Sequence, residues 1–102
     1  MVVFVCSPYG GKPRNVTRAF NYCIMETELG NIPFAPHCFY PQFMDEKTDR
    51  YIAIEMGIEM LSRCDELHVW GDKITEGMAM EIEYATENGI PVVYMERCDA
   101  DS

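Results

Sequence analysis

Val2-Val3-Phe4-Val5-Cys6 is a continuous apolar, β-branched run at the start of the chain. Such a run marks a strand buried on both faces, because a strand with one wet face alternates apolar and polar side chains. A Gly- and Pro-rich loop, residues 7–13, follows it. From about residue 14 to residue 29, Val16, Ala19, Phe20, Cys23, Ile24 and Thr27 recur at helical spacing. Gly30 stands where a helix C-cap would be. The same alternation continues: a second strand over 32–35, an irregular aromatic segment over 36–45, and a second helix over 46–64. A third strand follows over 66–70, a third helix over 75–88 closed by Gly89, and a fourth strand over 91–95. The order βαβαβαβ predicts a parallel sheet with right-handed crossovers and helices on both faces, an α/β fold.

In such sheets a ligand sits at the carboxyl ends of the strands, where the strand order reverses. Strands one and three are expected side by side there, which brings residues 7–11 beside residues 71–77. The first loop reads Ser7-Pro8-Tyr9-Gly10-Gly11-Lys12-Pro13-Arg14-Asn15 and opens a helix. Its glycines let backbone N–H groups approach a ligand, and the helix N-terminus adds partial positive charge. Lys12, Arg14 and Arg18 concentrate cations in a chain of formal net charge -9. The loop is neither a P-loop nor a GxGxxG fingerprint. Its alternative reading is a tight turn without a ligand.

The charge of -9 argues against nucleic acid and against an anionic membrane surface as partners, since both need a basic face. A small anion is still compatible, because a local cluster of N–H groups and cations binds it whatever the net charge. The five cysteines are odd in number and none falls at CxxC spacing, which argues against a disulfide framework or zinc knuckle and for a reducing, cytoplasmic location. Each reads as a small, partly buried hydrophobe. The chain shows no membrane-spanning run and no signal peptide. One domain over residues 1–98 with a tail over 99–102 is expected. His37 and His68 are the only histidines; no metal site and no cofactor are expected.

A second constellation joins Asp65, at the start of strand three, to Gly71, Thr75, Gly77 and Glu81. Gly77 and Glu81 are four apart and share a helix face. A helical side chain leans toward the N-terminus, so Glu81 is expected to point at the loop mouth. A carboxylate there is placed to act as a nucleophile in glycosyl transfer. The plainer reading of Glu81 is a solvated glutamate favoured near a helix N-terminus, and that of Asp65 is a surface turn residue. His37, in Pro33-Phe34-Ala35-Pro36-His37, either bonds a sugar or base or anchors its loop. Phe39, Tyr40 and Phe43 either stack on a nucleobase or cover the core, and core cover is the reading taken. The helix over 46–64 carries two stripes, Ile54/Ile58/Leu61 and Ile52/Met56/Met60: either one wide buried face, or a core face plus a subunit interface.

Taken together, these residues resemble the nucleoside 2-deoxyribosyltransferase-like superfamily, in particular its short phage and bacterial members. The resemblance runs from about Val2 to Met95. It rests on Cys6-Ser7-Pro8-Tyr9, Pro33-Phe34-Ala35-Pro36-His37, Cys64-Asp65-Glu66, Trp70-Gly71 and Gly77-Met78-Ala79-Met80-Glu81-Ile82. It implies a flavodoxin-like (Rossmann-like) three-layer fold with a four- to five-stranded parallel sheet. It also implies cleavage of a nucleoside or nucleotide N-glycosidic bond, or deoxyribosyl transfer, with Glu81 attacking the anomeric carbon. Asp65 would handle the leaving base, Tyr9, Ser7 and Thr75 would orient the sugar, and Gly10, Gly11, Lys12 or Arg14 would take a phosphate. Pro8, Asn15, His37, Gly71, Gly77 and Met78 complete the expected substrate contacts. Retaining chemistry would set the Glu81 and Asp65 carboxyls about 5 Å apart. Thr75 stands where the transferases have an aspartate, which leans toward a hydrolase, or toward a non-catalytic module that senses or sequesters a nucleotide-derived ligand. The family completes its site from a neighbouring subunit, so a homo-oligomer, dimer or higher, is expected.

Overall fold

A computed structural model of the chain describes residues 1–9, 12–45 and 47–95, and the backbone alone at His37. The expected tail over 99–102, Cys98, Gly10 and Gly11 lie outside the described residues. β1 (Val2–Cys6) leads through the first loop to α1 (Pro13–Glu28), then β2 (Ile32–Phe34), α2 (Pro36–Phe39) and a 3-10 turn (Tyr40–Gln42). α3 (Arg50–Leu61), β3 (Glu66–Val69), α4 (Glu76–Glu87) and β4 (Val92–Tyr94) complete it. The four strands form one parallel sheet in the order β2-β1-β3-β4. The chain is thus α/β with a flavodoxin-like sheet whose order reverses between β1 and β3.

β1 is covered on both faces, as its apolar run requires. Phe4 and Cys6 join Leu67 and Val69 of β3 beneath Leu61 of α3 and Met78 and Ala85 of α4. On the opposite face Val5 packs with Ala19 of α1, Ala35 and Trp70. Fully burying a side chain such as Phe4 or Leu67 contributes roughly 1.5–3 kcal/mol.

Three expectations about the elements change. α1 is rotated about its axis: Asn15, Ala19 and Glu26 are its buried residues, while Phe20 and Ile24 are half exposed. Glu26 can turn inward because partners meet it there. Its carboxylate accepts from Trp70 Nε1 at 2.9 Å and Asn31 Nδ2 at 2.9 Å, and lies 2.6 Å from His68 Nδ1. α3 starts at Arg50, not at residue 46, because Asp45 and Asp49 build a turn first. Asp45 accepts from the amides of Lys47 and Thr48, and Asp49 accepts from the amide of Asp45. Of the two α3 stripes, Leu61 is buried and Ile58 packs on the core, while Ile52, Met56 and Met60 are exposed. Part of the aromatic segment is helical, and only Tyr40 of its three aromatics is buried. Among the described residues no helix is long and apolar enough to cross a membrane.

Candidate active site

The carboxyl ends of β1 and β3 open onto a cavity of about 190 Å³. One side is polar: Ser7 and Tyr9 from the first loop, then Thr75, Glu76, Gly77, Met78 and Glu81 from the start of α4. The other is largely apolar: Pro36, Tyr40, Pro41 and Met44 from the segment after β2, and Ala53 and Ile54 from α3. Asp45 and Arg50 stand at its edge. Mixed walls of this kind suit a ligand with one polar and one flat apolar part.

Glu81 owes its place to the start of α4. Thr75 caps the helix, its hydroxyl accepting from the amide of Met78 at 3.3 Å, and so fixes where the first turn begins. Gly77 opens that turn without a side chain, and nothing lies within 4 Å of where its Cβ would be. Glu81, one turn on, leans back over this gap and meets the Cys6 thiol at the end of β1. Burial pushes the Glu81 carboxyl up to about 7, while the Cys6 hydrogen bond acts the other way. The Cys6 thiol is itself pushed far up, chiefly by burial and then by the charge of Glu81, so it stays protonated; the carbonyl of Met78, 3.9 Å from its Sγ, is a further acceptor for it. The second carboxylate at the cavity, Asp45, is held below the usual range by the amides of Thr48 and Lys47.

Of the residues expected in the site, Ser7, Tyr9, Thr75, Gly77, Met78 and Glu81 come together at this cavity. Pro8, Lys12, Arg14 and Asn15 do not: they line a second cleft that shares no residue with the first. Ser7 and Tyr9 line the first cavity, and Pro8 between them lines the second. Gly71 plays a supporting part. Its φ is +101°, and a Cβ would lie 2.8 Å from Pro8 Cδ, so the glycine lets the loop after β3 close on the first loop. His37 falls in α2 with its side chain outside the described residues. Asp65 is a correction. Its carboxylate accepts from the amide of Val2 at 2.8 Å, at the amino end of the sheet. The length of β1, about 13 Å, separates Val2 from Cys6 and Glu81, so the expected 5 Å pair does not exist. Asp65 precedes its strand, and in a parallel sheet that is the end away from the site.

Cys6, Asp45 and Arg50 are contributors the sequence reading missed, and Tyr40, taken as core cover, lines the cavity as well. Strand parity placed Cys6 on the same sheet face as Phe4 and hence beneath α4; its apolar neighbours hid its polar role. Arg50 reaches Glu76 at 3.5 Å, tying α3 to α4 at the cavity.

The fold and the cleft define an α/β protein with a cavity at the switch point of a parallel sheet, lined by one desolvated carboxyl. The chain belongs to the family described as domain of unknown function DUF7768, whose model matches residues 1–95. No curated protein matches it in sequence. Among solved structures it is similar to a 2-deoxyribosyltransferase from the psychrotolerant bacterium Bacillus psychrosaccharolyticus. That match has a TM-score of 0.74 at 17% identity and covers 92% of this chain and 71% of that one. It is also similar to a 2-deoxyribosyltransferase from Leishmania mexicana, with a TM-score of 0.67 at 17% identity over 92% of this chain and 63% of that one. The chain therefore spans less than two thirds of the second protein. At this identity the likeness is one of fold.

Proposed function

We propose that this protein cleaves the N-glycosidic bond of a nucleoside or nucleotide, or transfers its deoxyribosyl group, with Glu81 as the nucleophile. The observation that carries this reading is the position of Glu81: desolvated on Cys6, at the polar wall of a cleft whose opposite wall is apolar. The base would lie against Tyr40, Pro41, Met44 and Ile54, and the sugar beside Ser7, Tyr9 and Thr75. A Glu81 carboxylate oxygen attacks C1′ as the C1′–N bond breaks. The electron pair leaves with the base, which takes a proton from water in the cleft, since Asp65 is out of reach. Water or a second base then attacks C1′ and frees Glu81. The fold likeness to deoxyribosyltransferases supports a nucleoside-related ligand.

A second reading has its own observation. Thr75 is occupied as a helix cap, and Asp65 supplies no acid, which suits a module that holds a nucleotide-derived ligand without turnover. A panel of deoxynucleosides and their monophosphates, with free base followed by chromatography, separates the two. The enzyme reading expects base release by the wild type and a loss of roughly 10³-fold or more in Glu81→Gln. Equal release by both sinks it. Tight calorimetric binding that survives Glu81→Ala without turnover favours the module.

A further inference from the structure

The second cleft, of about 180 Å³, shares no residue with the cavity at Glu81 and is lined by Lys12, Arg14, Arg18 and Lys73. These are four of the chain's eight lysines and arginines, gathered on a molecule of net charge -9. One carboxylate, Asp72, shares the cleft, along with Pro8 and Asn15. Among the described residues, none of the four cations is ion-paired with a carboxylate. Two of them stand where helix physics disfavours them. Lys12 is the N-cap of α1 and Arg14 is in its first turn, with Arg18 one turn further along. A cation at the positive end of the helix dipole is unfavourable. α1 has no side-chain cap and no acidic residue in its first turn to offset this. α4, in the same molecule, has a threonine cap and Glu76. A local rule obeyed in one helix and broken by two residues in another, around a concave surface that gathers two further cations, marks a site that an anion completes.

We propose that this cleft binds a multiply charged oligophosphate, free or as the tail of a nucleotide, between Lys12, Arg14, Arg18 and Lys73. Several unpaired cations on two elements favour several phosphoryl groups over one, because each charge-assisted contact contributes separately. The site is independent of the chemistry assigned to Glu81.

Calorimetric titration of the intact protein at 150 mM NaCl with inorganic tripolyphosphate, ATP and adenosine tests it. The wild type binds tripolyphosphate saturably, and the Arg18→Ala/Lys73→Ala double variant loses at least about tenfold in affinity. Glu81→Gln binds as the wild type does, which keeps this result separate from that of the proposed activity. Both substituted side chains are exposed; a melting curve checks the fold of the double variant, and Arg18→Lys/Lys73→Arg retains binding. Tighter binding of ATP than of tripolyphosphate assigns a nucleotide tail, and equal binding assigns a free oligophosphate. The proposal is overturned if neither compound binds saturably, or if the double variant binds as the wild type does. It is also overturned if Lys47→Ala/Arg63→Ala, which removes the same charge elsewhere, weakens binding equally.

Discussion

Glu81 sits where desolvation outweighs its one hydrogen bond, and that balance has consequences for both rate and stability. Burial raises its folded-state pKa from an ordinary 4.5 to about 7, so between those values the folded protein binds more proton than the unfolded chain. With respect to this group, stability is full below about pH 4.5 and is lost as pH rises through about 7. Glu81→Gln removes the penalty. It should stabilise the protein at pH 8 by up to about 3 kcal/mol and change little at pH 4, as read from urea denaturation at the two pH values. A nucleophile must be ionised, so the rate should rise with pH along a limb centred near 7. A limb near 4.5, or destabilisation by Glu81→Gln at pH 8, contradicts this placement. Gly71 carries the other prediction at this scale. Its φ is +101°, and a methyl group added there would meet Pro8 Cδ at 2.8 Å, so Gly71→Ala should cost roughly 1–3 kcal/mol. An unchanged denaturation midpoint would show that the two loops do not rest on each other. Glu81 was legible from its spacing to Gly77 and the lean of helical side chains. Cys6 was not, because a thiol inside an apolar run reads as a hydrophobe until the carboxylate above it is known.

At the scale of elements, α1 is fixed to the sheet by polar contacts as much as by its apolar face. Glu26 is fully buried and joins α1 to His68 and Trp70, while His68 Nε2 lies 2.8 Å from Glu66 Oε1 and Tyr22 stacks on Trp70 at 4.9 Å. Glu26→Ala leaves the indole N–H, the Asn31 amide and a ring nitrogen of His68 without their acceptor. It should cost about 3–5 kcal/mol by denaturant unfolding. A cost under 1 kcal/mol would mean that water replaces the carboxylate freely. The sequence placed α1 within a few residues but missed its rotation. Two of the partners that make Glu26 an interior residue lie 42 and 44 positions away, and no local period contains them. The start of α3 failed for the opposite reason. Asp49, inside the expected helix, and Asp45, at the end of the irregular segment before it, instead capture backbone amides and delay the helix to Arg50.

Over the whole molecule, topology decides which residues can cooperate. The alternation of apolar runs and helical periods was enough to define a parallel α/β sheet and to bring the first loop beside the start of α4. The same topology excludes Asp65, since a residue before a strand and a residue after one lie at opposite ends of the sheet. The first loop divides its own residues between two clefts, one around Glu81 and one basic around Arg18 and Lys73; spacing alone did not show this division. The central claim is that Glu81 forms a bond to the sugar. The most direct measurement is the mass of the tryptic peptide running from Ile74 to Arg97, after acid quench during turnover of a deoxynucleoside or its monophosphate. The account predicts one added deoxyribosyl group on that peptide at Glu81, and none in Glu81→Gln. An adduct elsewhere in the chain, or base release that persists in Glu81→Gln, would contradict it.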